Sequence, residues 1–474
     1  MALGRRKGEN QEELFVVHSR LPKSPGHVFY RKLNQLLAEA GFDRWVESLC
    51  EPFYANGRGR PSLPPGIYFR MLLVGYFEGI NSQRGIAWRC SDSLSLREFL
   101  GIPLGDDSPD HSSLSYIRER LPVEVHEQVF VWILSLAREK KLLKGKTVAV
   151  DSTTLEANAA MKSIVRRDTG EDWREYVTRL MREAGEISPE ETPSEDALRR
   201  FDKQRKNKRV SNEEWESTTD PDSCIARMKD GTTHLAYKAE HVVDLDTEVI
   251  LAAEVYYGNE GDASTLEDSV VQAQVHQQEA GSENEIQDVV ADCGYHSNQT
   301  ITTMAEHSTS RTYIPEPRNQ HGQRKWTDKP PEQKASVYAN RRRTRGKRGR
   351  KLQRLRSERV ERTFAHVCET GGARRTWLRG IDKVRKRYLM SAAAHNLGLV
   401  MRSLFGIGTP RGLQQYHEGL QGLVLSLYFT CLTIWRQTVC PQTRLSRMGC
   451  LRAEINRHNV GNLRCVEVPI FSTG

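Results

Sequence analysis

The chain has 474 residues and a formal net charge of +9, enough length for two or three domains with proper cores, so no metal or disulfide staple is needed for stability. Its nine cysteines include no CxxC pair and none at zinc-ligand spacing from a histidine pair, so reduced, buried thiols in a reducing, cytoplasmic compartment are expected. No apolar h-region follows the basic start MALGRRKGENQEE, which excludes a secretory signal on this reading. The most apolar stretch, Leu420 to Trp435, is shorter than the roughly 20 residues a bilayer crossing needs, so a buried helix and no membrane partner are expected.

Residues 1–140 read as a helical domain. Helices are predicted over His27 to Ala40, Pro65 to Ile80, Ser112 to Leu121 with serine caps, and Glu124 to Leu136, where Val125, Val129, Trp132 and Leu136 recur at helical spacing. Arg70, Arg84, Arg89 and Arg118 are interspersed. A solvated basic face is the usual reading of such residues, and a helix-turn-helix DNA reader is the alternative.

A different pattern begins at KTVAVDSTTLE. Val148 and Val150 alternate with Thr147 and Ala149 as in a half-buried strand, and Asp151 follows. Taken alone, Asp151 reads as a turn aspartate accepting hydrogen bonds from the backbone. From about 162 to 230 the chain turns polar and reads as an insertion, part helical around Trp173 to Ala184 and otherwise exposed.

Strand patterns return in Leu235 to Gly258, which splits at Asp244 to Thr247 into a hairpin. A helix over Ala263 to Gln278 follows, with Asp262 read as its cap. IQDVVADCGYHS then supplies a second strand ending on an acid, Asp292, before a helix over Asn298 to Glu306 and a strand over Arg311 to Ile314. Strand, hairpin, helix, strand, helix is the order of a mixed α/β domain.

The charge is local. Residues 341–360 hold 11 Lys/Arg and one Glu, net +10, which leaves the remainder of the chain near −1. Read as a loop, this run would draw phosphates to its neighbourhood; a disordered loop or a localisation patch is the bland alternative. Lys238 and His296, near strand ends, are weaker candidates for substrate contact, since such residues usually lie on the surface.

Two acids at the ends of neighbouring strands repel as carboxylates unless a cation lies between them. A hard divalent ion with oxygen ligands meets that demand and suits phosphodiester chemistry. A third carboxylate is then expected in SERVERTFAHV, where Val360, Phe364 and Val367 form an apolar stripe. Glu361 flanks that stripe and Glu358 lies one turn earlier; spacing alone does not choose between them. Either glutamate could instead pair with Arg354 or Arg362 on an exposed face.

VAVDSTTLEANAA, VVADCGYHS and VERTF resemble the acidic motifs of bacterial insertion-sequence transposases of the DDE type. PSLPPGIYFRMLL, SLREFLGI and PDHSSLSYIRERL resemble the helical domain preceding the core in one branch of these enzymes, and SAAAHNLGLVMRSL the helix that closes it. The resemblance implies an α/β, RNase H-like mixed sheet with flanking helices, an N-terminal all-α domain at 1–140, and a catalytic domain at 141–405 with an insertion after its first strand. It leaves 406–474 without a role. It further implies Asp151, Asp292 and Glu361 as catalytic residues and ligands of Mg²⁺, for which Mn²⁺ would substitute.

The implied reaction is cleavage and strand transfer of double-stranded DNA at the element's own ends, by a homodimer or higher assembly. DNA contacts would come from Arg341, Arg342, Arg343, Arg345, Lys347, Arg348, Arg354, Arg356, Arg359, Arg362 and Lys238. A nuclease of the same fold without strand transfer, and a DNA-binding protein without catalysis, are the rival readings. One departure stands out: where related enzymes carry an Arg four residues before the glutamate and a Lys about seven after, this chain has Ser357 and Cys368.

Overall fold

The computed structural model describes residues 26–55, 62–103, 105–206, 211–228, 231–307, 309–317 and 329–412. These lie in one compact unit, 1–414; the second unit, 415–474, and with it the apolar stretch Leu420 to Trp435, falls outside the described residues.

Among the described residues, seven α-helices precede the sheet: α1 (Gly26–Glu39), α2 (Phe42–Cys50), α3 (Pro65–Glu78), α4 (Gln83–Asp92), α5 (Leu94–Leu100), α6 (His111–Arg120) and α7 (Val123–Glu139). The four predicted helices are present, and α2, α4 and α5 are additional. The last two are short and rest on local caps: Ser82 accepts from the Gly85 amide at 3.0 Å and Ser93 from that of Leu96 at 3.4 Å. At the start of α6 the cap is Asp110, which accepts from Ser112 N at 2.8 Å, not one of the serines expected there. Helix α3 is buried nearly all round, from Tyr68 to Phe77, as the central helix of a bundle must be.

Two of the four interspersed arginines are not on a solvated face. Arg70 is buried and reaches Asp43, with its Nη2 at 2.8 Å from Oδ2, and Arg118 is buried as well. Buried arginines need such partners because water cannot reach them.

The core sheet contains β1 (Thr147–Glu156), β4 (Cys224–Arg227), β5 (Thr233–Asp244), β6 (Ile250–Tyr257), β7 (Asp288–Val290) and β8 (Arg311–Tyr313), while β2 (Ile164–Arg166) and β3 (Trp215–Ser217) form a separate pair. β5 lies antiparallel to β1 on one side and to β6 on the other, with β4 sharing that outer edge; β7 is parallel to β1, and β8 to β7. This is a mixed, RNase H-like sheet. The β5–β6 hairpin turns where expected, pinned by Asp244, whose carboxylate accepts from Asp246 N and Thr247 Oγ1, each at 2.9 Å.

The polar stretch after β1 is folded further than its composition suggests. Helices α8 (Trp173–Glu183) and α9 (Glu195–Gln204) enclose a small core of Val177, Met181 and Leu198 beside the β2–β3 pair, and β4 then rejoins the main sheet.

Helix α10 (Asp262–Glu279) joins β6 to β7 and α11 (Asn298–His307) joins β7 to β8. The cap position of α10 is Gly261; Asp262 is the first helical residue, and its side chain accepts from Ser152 and Lys238 rather than from the helix's own amides. The basic run is not a loop. It forms the end of α12 (Pro331–Arg345) and most of α13 (Lys347–Phe364), separated at Gly346, and a π-helical turn follows over Ala365–Thr370.

Helix α14 (Ile381–Phe405) packs against α3, α7 and β6. Two buried asparagines dock helices onto strand ends. Asn396 exchanges two hydrogen bonds with Ile250 (2.9 and 2.7 Å) and Asn340 two with Ile314 (3.0 and 2.8 Å), supplying the partners a strand would give. Among the described residues no helix is long and apolar enough to cross a membrane, and Cys50, Cys90 and Cys368 are free and buried.

Candidate active site and its basic flank

Pairing fixes the height of two acids. β1 and β7 run parallel with Ala149 opposite Val290, and carrying that register two residues onward sets Asp292 level with Asp151. β7 ends at Val290, so Asp292 already stands in the following turn, where its Oδ1 accepts from Gly294 N at 2.8 Å. Asp151 remains within β1; its Oδ1 accepts from Ser152 N at 2.9 Å and its Oδ2 from Arg356 Nη1 at 2.6 Å.

Helix α13 crosses the strands. Gln353 donates to the carbonyls of Ala291 (2.9 Å) and Tyr313 (2.6 Å), Arg356 reaches Asp151, and Thr363 Oγ1 lies 3.0 Å from His241 Nδ1 on β5. His241, paired across the sheet with Asp151, also meets Tyr388 Oη at 2.8 Å and stacks on Phe364 with centroids 4.1 Å apart. Burial, followed by the nearby His395, holds its pKa well below the ordinary value, so the ring is neutral and serves as a fixed hydrogen-bonding plate.

Glu358 and Glu361, one turn apart on α13, differ in their partners. Glu358 is bound at 2.8 Å by Arg362 one turn on, and Arg362 also holds Glu248 in the hairpin turn. Glu361 is exposed, its side chain making no hydrogen bond or ion pair among the described residues, one turn after Ser357. The stripe Val360, Phe364 and Val367 is buried as expected. Among the described residues, no three acidic, histidine or cysteine side chains are grouped to hold a metal ion. Asp151 and Asp292 are thus brought to one level, with Glu361 on the helix that crosses them and Arg356 lying against Asp151.

The basic set divides. Arg341 pairs with Glu316 (2.8 Å), Arg343 donates to Thr312 O (3.0 Å), Arg348 is held by Asp288, Arg356 by Asp151 and Arg362 by Glu248 and Glu358. Arg342, Arg345, Lys347 and Arg354 are exposed and have no partner among the described residues; Arg359 is half-buried and likewise unpaired there.

Lys238 is not a surface residue. It is buried, with Nζ 2.9 Å from Asp262, 3.3 Å from Glu240 and 2.8 Å from Thr265. His296 is also inside, its side chain only 2% exposed near Glu316. Arg374, which sequence reasoning passed over, donates to Thr153 Oγ1 at 2.8 Å beside the site. A clue existed only in the arginine-rich GGARRTWLRG, which has no periodicity.

Residues 17–120 match the family described as "Transposase domain (DUF772)", and residues 143–397, more than half of the chain, match "Transposase DDE domain". No curated protein and no solved structure matches the chain.

Proposed function

Because the chain belongs to the transposase DDE domain family, whose members act on DNA and generally use divalent metal ions, we propose that it cuts the ends of its own insertion sequence and joins the freed 3′ ends to a target. Asp151, Asp292 and Glu361 are proposed as the catalytic acids, with Mg²⁺ as the ion they take and Mn²⁺ as its substitute. The observation that carries this reading is the parallel register of β1 and β7, which continued past Val290 sets Asp292, in the turn after β7, level with Asp151 within β1, beneath a helix that bears the exposed Glu361.

The donors suit the ion: all three are carboxylates, the oxygen ligands a hard divalent cation prefers. In the chain alone Arg356 supplies the positive charge beside Asp151. A bound divalent ion would activate the attacking oxygen and stabilise the leaving one.

The residues of the chain do the positioning. Arg342, Arg345, Lys347 and Arg354 neutralise backbone phosphates along α12 and α13 and lead the strand toward Asp151. In cleavage, a water oxygen forms the new bond to phosphorus and the 3′ oxygen leaves with a proton. In joining, that 3′ hydroxyl attacks a target phosphorus and the target's own 3′ oxygen leaves. The helical domain before the core, with Arg84 exposed, is proposed to read the element ends, and bringing two ends together calls for a dimer or higher assembly.

The test is a Mg²⁺-dependent assay on oligonucleotides carrying the element ends. Asp151→Asn, Asp292→Asn and Glu361→Gln should each abolish cleavage and joining while mobility-shift binding of the ends persists. Cleavage with no joined product would reduce the reading to a nuclease, and activity of any of the three variants would remove that residue from the site.

A further inference from the structure

We infer that Asp262 is a positioning residue of the acidic site, tying the turn after Asp292 to the strand segment after Asp151 from the opposite face of the sheet. The inference rests on the acidic-site reading above and adds a residue to it. Asp262 is the first residue of α10, after the N-cap Gly261. Its Oδ1 accepts from Ser152 Oγ at 2.9 Å and from Lys238 Nζ at 2.9 Å. Ser152 is the residue after Asp151, and strand alternation puts its side chain on the other face.

The second oxygen faces the other acid. A Cβ placed on Gly294 would lie 2.8 Å from Asp262 Oδ2 and 3.1 Å from Asp292 Oδ1, so the two carboxylates flank this glycine with no room for a side chain between. Gly294 also donates its amide to Asp292. One carboxylate therefore hydrogen-bonds the segment after Asp151 and closes off the space beside Gly294 in the turn after Asp292.

The rest of the network is buried and closes the link. Lys238 continues to Glu240, which is fully buried and accepts from Thr265 Oγ1 at 2.9 Å and Tyr295 Oη at 2.7 Å; Tyr295 directly follows Gly294. The chain Ser152, Asp262, Lys238, Glu240, Tyr295 thus begins and ends within three residues of a site aspartate in sequence. Ion pairs and hydrogen bonds shielded from water are stiff and costly to break, so this network sets the spacing of Asp151 and Asp292. Spacing of the carboxylates governs divalent-ion affinity, and loss of an orienting partner typically costs about 10- to 100-fold.

The experiment is Mn²⁺ binding to the full-length protein, read by the electron paramagnetic resonance signal of free Mn²⁺, beside the Mg²⁺ dependence of cleavage. Asp262→Ala should weaken Mn²⁺ binding by about tenfold or more and raise the Mg²⁺ concentration for half-maximal cleavage, with activity recovering at high Mn²⁺. Asp262→Asn, which can still accept from Ser152, should fall between Asp262→Ala and wild type. Ser152→Ala removes one link, leaves the buried ion pair intact, and should shift Mn²⁺ affinity in the same direction by less. Wild-type Mn²⁺ binding in Asp262→Ala would overturn the inference; if that variant fails to fold, wild-type binding in Ser152→Ala would do so. Asp151→Asn distinguishes the premise: Mn²⁺ binding unchanged there would defeat the acidic-site reading itself, whatever Asp262 does.

Discussion

Arg356 and Asp151, 205 residues apart in sequence, meet at 2.6 Å across the interface between α13 and the central strand. The pair is largely sheltered, with side chains 12% and 20% exposed, and it places a fixed cation on an acid proposed to bind a mobile one. The two cations compete. Arg356→Ala should therefore raise the affinity of the DNA-free protein for Mn²⁺ severalfold while lowering cleavage, since Asp151 loses the partner that orients its Oδ2. Paramagnetic titration checks the first effect and gel assays the second; unchanged Mn²⁺ affinity would mean that Arg356 and the ion do not share Asp151.

The two glutamates of α13 should separate cleanly. Glu361→Gln removes an exposed carboxylate and should lower cleavage by about two orders of magnitude or more, the loss seen when one charge-stabilising group leaves a catalytic site, with no change in melting temperature. Glu358→Gln breaks an exposed i,i+4 pair worth about 0.3 to 0.5 kcal/mol, so activity close to wild type is expected. The reverse result would move the third acid to Glu358.

Charge on α12 and α13 should act in two ways according to pairing. Arg345→Ala and Lys347→Ala, which remove exposed cations, should weaken DNA binding and make the logarithmic salt dependence shallower by about 0.9 for each phosphate no longer neutralised, with stability unchanged. Arg343→Ala leaves the Thr312 carbonyl without this donor and should lower the melting temperature instead. Binding isotherms across a salt series together with melting curves distinguish the two.

Acid should destabilise the fold through buried histidines. His126, enclosed beside Tyr68 and bonded to Pro122 O, has its pKa pushed down by burial to about 3, and His395 likewise to about 3. Their folded values lie below the ordinary value of about 6.5, so between about pH 6.5 and 3 the unfolded chain binds more protons. Stability is therefore full above about 6.5 and falls as pH drops toward 3. His126→Gln should flatten part of that slope in pH-dependent melting; an unaltered slope would assign the acid sensitivity elsewhere.

Local pattern made much of the core legible. The alternation in KTVAVDSTTLE marked β1, the β-rich runs around Asp244 to Thr247 marked the hairpin, and the apolar stripe of Val360, Phe364 and Val367 marked the buried side of α13. Each is a periodicity of neighbouring residues, which needs no knowledge of the fold. Helices α4 and α5 escaped because each is only two or three turns long, secured by one serine cap and by tertiary burial.

Which charges are free and which are spent was decided only in three dimensions. Sequence alone determined that an acid follows each of two apolar runs and that 11 basic residues crowd 341–360. The fold put Lys238 inside against Asp262, turned the basic run into two helices, bound Arg343, Arg348 and Arg356 to the sheet, and left Arg345, Lys347 and Arg354 outward. The physical reason is that a charged side chain's role depends on its partner and its access to water. Both are set by segments that meet in space though far apart along the chain, as Asp151 and Arg356 are.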